Sequence, residues 1–180
     1  MSILKLFGIS GGDRDEASDP AQTETVRKIV AELDHLPPQR ARFVAAFAYI
    51  LSRVAHADTN ISDDETRAME RVLVERGHLP EQQAVIVVQM AKTQNLLLGG
   101  TENYIVTREY NRLASHDEKL ALLECLFAVS AADQSVSTIE ANVIRQIADE
   151  LKLEHREYVE VRSKFRDHLA VLKPPRPEQD

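Results

Sequence analysis

The sequence predicts an all-α fold, a single helical domain of about seven to eight helices built from two helix-loop-helix repeats related by a pseudo-twofold. Three observations carry this. An eight-residue stretch is written twice: Asp58-Thr59-Asn60-Ile61-Ser62-Asp63-Asp64-Glu65 recurs 75 positions on as Asp133-Gln134-Ser135-Val136-Ser137-Thr138-Ile139-Glu140. The match extends outward, with Leu51, Val54 and Ala55 facing Leu126, Val129 and Ser130 upstream, and Met69 and Val72 facing Ile144 and Ile147 downstream. Self-similarity at one fixed spacing is the mark of an internal repeat. Finally, apolar residues recur three and four apart along most of the chain, and no stretch alternates in twos for long, as a half-buried strand would.

The elements follow in order. Ile3, Leu4, Leu6, Phe7 and Ile9 form a short apolar patch, joined to the rest by a Gly-rich tether over residues 8–13. Asp19-Pro20 opens a helix carrying Val26, Ile29, Val30 and Leu33, which must stop before Pro37-Pro38. The next helix, from about Gln39 to His56, has Phe43, Ala46, Phe47, Ile50, Leu51 and Val54 on one face, and its small alanines allow close packing. A third runs from about Asp63 to Arg76, with Gly77 placed to end it. Leu79-Pro80-Glu81 starts a fourth toward Asn95, and the run 96–100 separates the halves. A polar helix from about Glu102 to Leu113 precedes Ser115-His116-Asp117-Glu118, a capping box opening the apolar helix to Ala132. The second copy continues with helices from about Thr138 to Leu151 and from about His155 to Leu172, before the proline-rich tail. The expected organisation is an N-terminal segment 1–18, a helical domain 19–172 with repeats at about 39–95 and 115–172, and a solvated tail 173–180.

Composition narrows the function. With 180 residues, 43% hydrophobic and 28% charged, the chain has the make-up of a soluble protein with a real core. A formal charge of −7 supplies no basic stripe for nucleic acid and suits cations or basic partners. The one cysteine, Cys125, lies in an apolar run, which excludes an internal disulfide and fits a reducing, cytoplasmic compartment. The N-terminal patch is too short for a secretory core and no segment reaches the length of a spanning helix. The patch is expected to dock on a protein partner, on a second copy, or weakly at a membrane surface.

Two readings of the repeated loop stay open. In the structural one, Ser62-x-x-Glu65 and Ser137-x-x-Glu140 are capping boxes, with Ile61 and Val136 as hydrophobic staples, each worth on the order of 1 kcal/mol. That reading leaves Asp58 and Asp133 unexplained, because an acid near the C-terminal end of a helix faces the negative end of its dipole. In the second reading the oxygens of Asp58, Asn60, Ser62 and Glu65, and of their counterparts, wrap a hard cation: calcium, magnesium or manganese. Zinc or copper would call for histidine or cysteine. The copies serve as controls on each other. Asp63 and Asp64 become Thr138 and Ile139, and His56 becomes Ala131, so these are not ligand candidates.

The doubled Ala-Asp-x-x-(Ile/Val)-Ser-x-x-Glu motif, at Ala57-Asp58 and Ala132-Asp133, resembles the tellurite-resistance TerB-like family over about residues 38 to 172. Glycine often follows the motif aspartate there, where this chain has Thr59 and Gln134. The resemblance implies an all-helical domain, a role in tellurite or stress response, and a divalent metal site lined by Asp58, Glu65, Asp133 and Glu140.

Other chemistry is sparse. The six histidines lack His-Glu-x-x-His spacing, and there is no Gly-rich phosphate loop or nucleophile elbow. The expectation is therefore a non-enzymatic protein without an organic cofactor. It is either a cation-binding protein or an acidic helical scaffold whose loops only cap helices.

Overall fold

The computed structural model describes residues 28–54, 63–94, 103–132 and 136–169, with the side chains of 63–65, 93–94 and 103–104 excepted. The N-terminal patch, its tether, the Asp19-Pro20 helix start, the 96–100 run and the tail lie outside them. Helices are the only regular elements longer than a single bridge among the described residues. Segment α1 covers 28–34. It is followed by α2 (Pro38–Ser52), α3 (Asp63–Glu75), α4 (Glu81–Gln94), α5 (Asn103–Leu113), α6 (His116–Ala131), α7 (Thr138–Glu150), α8 (His155–Ser163) and a 3-10 turn, Arg166–His168.

Two helices form the centre. In α2 every residue from Phe43 to Ser52 is buried, and in α6 so are Leu122, Leu123, Cys125, Leu126 and Phe127. A helix apolar on all sides has to be surrounded. Accordingly α4 and α5 cover α2, while α3, α7 and α8 cover α6, and α2 meets α6 directly. Ala41, Ala45 and Ala48 are fully buried, so the neighbouring backbones can come close to α2. Phe43 and Phe47 meet Tyr110 of α5 at 5.1 and 6.0 Å between ring centres, and the Tyr110 hydroxyl donates to the Glu118 carbonyl at 3.1 Å. Phe127 stacks on Phe165 at 5.6 Å. Leu51 and Leu126, the matched pair, are both fully buried. No helix among the described residues is long and apolar enough to cross a membrane.

The bounds of α3 and α7 repeat 75 positions apart, but α4 and α8 begin at 81 and 155, only 74 apart. The extra residue sits at the end of α3. Helix α7 closes conventionally: Lys152 takes the left-handed conformation (φ 59°), its amide bonds Asp149 O and the Leu153 amide bonds Ala148 O, the paired bonds of a Schellman cap. At the end of α3 the Gly77 amide reaches back to Val72 O, the left-handed residue is His78 (φ 52°), and the Leu79 amide bonds Leu73 O. Gly77 therefore lies at the terminus, as expected, for a different reason. A Cβ there would stand 2.6 Å from Leu73 O and 3.1 Å from Cys125 Sγ.

The last predicted helix is shorter than expected. It ends at Ser163, turns through Lys164 and Phe165, and becomes extended at Leu169 (ψ 118°). Val161, Phe165 and Leu169 keep helical spacing, yet the His168 carbonyl accepts the Val136 amide at 2.7 Å, and Val136 and Leu169 form an isolated parallel bridge. Helix α2 likewise stops at Ser52, short of His56.

Candidate functional site

The second repeated loop is framed on both sides. Upstream, α6 ends at Ala131, and the Ala132 amide bonds Val129 O at 3.1 Å. Downstream, Val136 is 1% exposed and held by the His168 carbonyl, and Ser137 caps α7. Its Oγ accepts from the Glu140 amide at 3.1 Å, while Glu140 Oε2 accepts from the Ser137 amide at 2.8 Å. The capping box predicted from Ser137-x-x-Glu140 is therefore complete. The same pattern holds at Ser115 and Glu118.

Asp133 falls in the three-residue interval between these anchors and lies outside the described residues, as does Asp58. Glu65 is placed in the first turn of α3 by its backbone alone. Glu140 is the one predicted ligand whose side chain is described. Its Oε2 serves the cap, and Oε1 keeps its acceptor capacity, since an ionised carboxylate offers about four lone-pair directions. Among the described residues, no three His, Cys, Asp or Glu side chains gather into a group that could hold a metal ion.

One residue at this end of α6 escaped the sequence reading. Ser130 is 4% exposed, and its Oγ has no hydrogen-bond partner among the described residues. Leaving a buried hydroxyl unpaired costs about 1 to 3 kcal/mol. The signal was in the sequence, because the other copy has Ala55 at this position. The Ser130 hydroxyl, the free Glu140 oxygen and the terminal carbonyls of α6 are all oxygen donors. That donor chemistry fits a hard divalent cation and not a thiophilic one.

The first loop departs from a second fixed point. Arg53, the residue after α2, donates to Thr107 Oγ1 at 3.0 Å and to the carboxylate of Glu150 at the end of α7. Burial pulls the Glu150 pKa up, and hydrogen bonds from Arg53, Thr107 and Gln146 outweigh it, holding the carboxyl below its ordinary value. Elsewhere, Glu157 accepts from the Glu154 amide and from His116 Nε2, each at 2.7 to 2.8 Å, and these contacts, the amide first, lower its pKa. His116 thus joins the starts of α6 and α8.

The sequence model of the family described as Tellurite resistance protein TerB matches residues 43–163, more than half of the chain, and takes in both repeated loops. Comparison with curated proteins and with solved structures returns no match.

Proposed function

Since the chain belongs to the tellurite resistance protein TerB family, we propose that it binds a hard divalent cation (calcium, magnesium or manganese) through Asp58, Glu65, Asp133 and Glu140. The observation that carries this reading is the framing of the second loop. Asp133 follows the C-terminal end of α6 by two residues, between a fixed Ala132 and a fixed Val136. An acid two residues past the C-terminal end of a helix is disfavoured by the negative end of its dipole, and a bound cation would relieve that while gaining oxygen donors. The Ser130 hydroxyl, buried and without a partner among the described residues, supports the same assignment. The protein's role is then binding and not a reaction, in the tellurite or stress response of a reducing cytoplasm that suits its one buried, free thiol.

Thermal unfolding in chelator and in rising calcium, magnesium or manganese tests it. A cation bound only by the folded chain adds about 2.7 kcal/mol at a hundred times its Kd. The double variant Asp58→Asn, Asp133→Asn should lose the metal-dependent shift and keep or gain stability in chelator. The completed box at Ser137 and Glu140 favours the alternative, a helical interaction scaffold with purely structural loops. A melting curve unmoved by chelator and by millimolar cation would establish that alternative.

A further inference from the structure

A cleft of about 370 Å³ opens between α7 and α8, with Ser137 of the cap in its lining. Arg145 and Arg162 line it, with His155, Asn142, Ser137 and Thr138. No carboxylate among the described residues lines it, in a chain whose net charge is −7. Neither guanidinium forms an ion pair or hydrogen bond among the described residues. Tyr158 forms the back wall, 8% exposed, its hydroxyl donating to Ala141 O at 3.4 Å and its ring stacked with His155 at 6.3 Å. Val159 and Leu169 add apolar surface.

The other repeat provides the control. The groove between α3 and α4 is lined by Glu70, Glu75 and Glu81 together with Arg67 and Arg71, so its charges compensate one another. Glu70 stands 75 positions before Arg145, and Glu81 stands 74 before His155, the offset set by the extra residue at the end of α3. The position 74 before Arg162 is Val88. At three matched positions the second half thus has a basic side chain in place of a carboxylate or an aliphatic one, while Arg67 is matched by the neutral Asn142. Charge compensation within the lining explains the first groove as a solvated surface, and the lining of the second holds no carboxylate to do the same.

We propose that the α7/α8 cleft binds a small organic phosphate, its phosphoryl group between Arg145 and Arg162 and its organic part against Val159, Leu169 and the Tyr158 and His155 rings. Guanidinium forks match phosphate oxygens two at a time. Ser137 Oγ accepts in the cap but keeps its own proton to donate, and Thr138 and Asn142 supply further donors. The volume exceeds what an inorganic ion fills and falls at the lower end of the range for small-molecule sites. Burial raises the Tyr158 phenol, Arg162 and Arg145 act to lower it and Asp149 to raise it, so the charges of both guanidiniums reach this wall against one carboxylate outside the lining. The cleft shares Ser137 with the repeated loop but none of the four carboxylates of the cation reading, and it takes ligands of opposite charge.

Phenyl phosphate is the probe, titrated calorimetrically into the full chain and followed by amide chemical shifts. Saturable binding is expected, at least tenfold tighter than inorganic phosphate, with shifts confined to 136–145, 155–162 and the neighbourhood of Leu169. Arg145→Gln and Arg162→Gln should each weaken it tenfold or more with an unchanged circular dichroism spectrum, and Arg71→Gln in the compensated groove should leave it intact. Absence of saturation, binding that survives the double Arg145→Gln, Arg162→Gln variant, inorganic phosphate binding as tightly, or neutral benzyl alcohol competing equally would each overturn the proposal.

Discussion

Arg53 and Glu150, 97 residues apart in sequence, meet in a two-pronged ion pair, Nη1 to Oε2 at 2.7 Å and Nη2 to Oε1 at 3.1 Å, with side chains only 8% and 13% exposed. The pair ties the end of the helix before the first loop to the end of the helix after the second. Removing one member leaves the other a nearly buried charge. Glu150→Ala should therefore cost on the order of 3 kcal/mol, and Glu150→Gln, which keeps a neutral acceptor, about half that, measured by denaturant unfolding. The pH dependence has a definite sign. A carboxyl whose folded pKa is lowered stabilises fully above its unfolded value, about 4.3, and loses that contribution as pH falls through the lower folded value. The stability gap between wild type and Glu150→Gln should hold from pH 7 to about 5 and narrow below about 4.

The two oxygens of Glu140 separate the loop's structural task from its proposed binding task. Ser137→Ala removes the cap acceptor and should cost about 1 kcal/mol, with chelator or without. Glu140→Gln keeps an acceptor for the Ser137 amide and should change apo stability by only a few tenths of a kcal/mol, while diminishing the cation-dependent rise in melting temperature. If both variants respond to cation as wild type does, Glu140 is a cap and nothing more.

Gly77→Ala should destabilise by about 1 to 3 kcal/mol, the cost of forcing a methyl into packed surroundings. Alanine ordinarily favours a helix, so the sign here is the test. Adding Cys125→Ala should recover only part of the loss, because the closer contact is the Leu73 carbonyl and backbone cannot be trimmed.

Cys125 should resist alkylation in the native state. Burial first, and Glu124 second, push its thiol up to about 12, against the opposing charge of Arg76. The thiolate is the reactive form. Iodoacetamide at pH 8 should label it only at the rate of unfolding, and urea near the transition midpoint should speed labelling sharply. The raised pKa also means that its contribution to stability is complete below the thiol's unfolded value, about 8.5, and declines as pH rises from there toward 12.

Much of this was legible in the sequence where the determining contact is local. Ser115 with Glu118 and Ser137 with Glu140 are three apart, so the residue types alone specify the bonds. The apolar spacing likewise marked α2 and α6 as helices with buried faces through Leu51 and Leu126, although burial on all sides of α2 goes beyond the single face its spacing predicts. What stayed hidden depends on distant partners. The periodicity through Val161, Phe165 and Leu169 continues past Ser163, and only the Val136 amide, paired with the His168 carbonyl, shows why the helix does not. Arg53 and Glu150 resemble any surface charge until the fold brings them together. The basic cleft was missed for a related reason. Arg145 and Arg162 sit on separate helices, and the positions where they stand in place of Glu70 and Val88 lie away from the repeated loops.

The bond from the Val136 amide to the His168 carbonyl also orders events in time. During synthesis α6 and the Ser137 cap can form from residues already made, but the downstream anchor of the second loop has no partner until residue 168 has emerged. The first loop, whose flanking helices α2, α3 and α4 precede it or follow it directly, is under no such delay from this bond. A nascent chain arrested before residue 168 would therefore carry the cap without the anchor, and the second copy of the motif would mature later than the first.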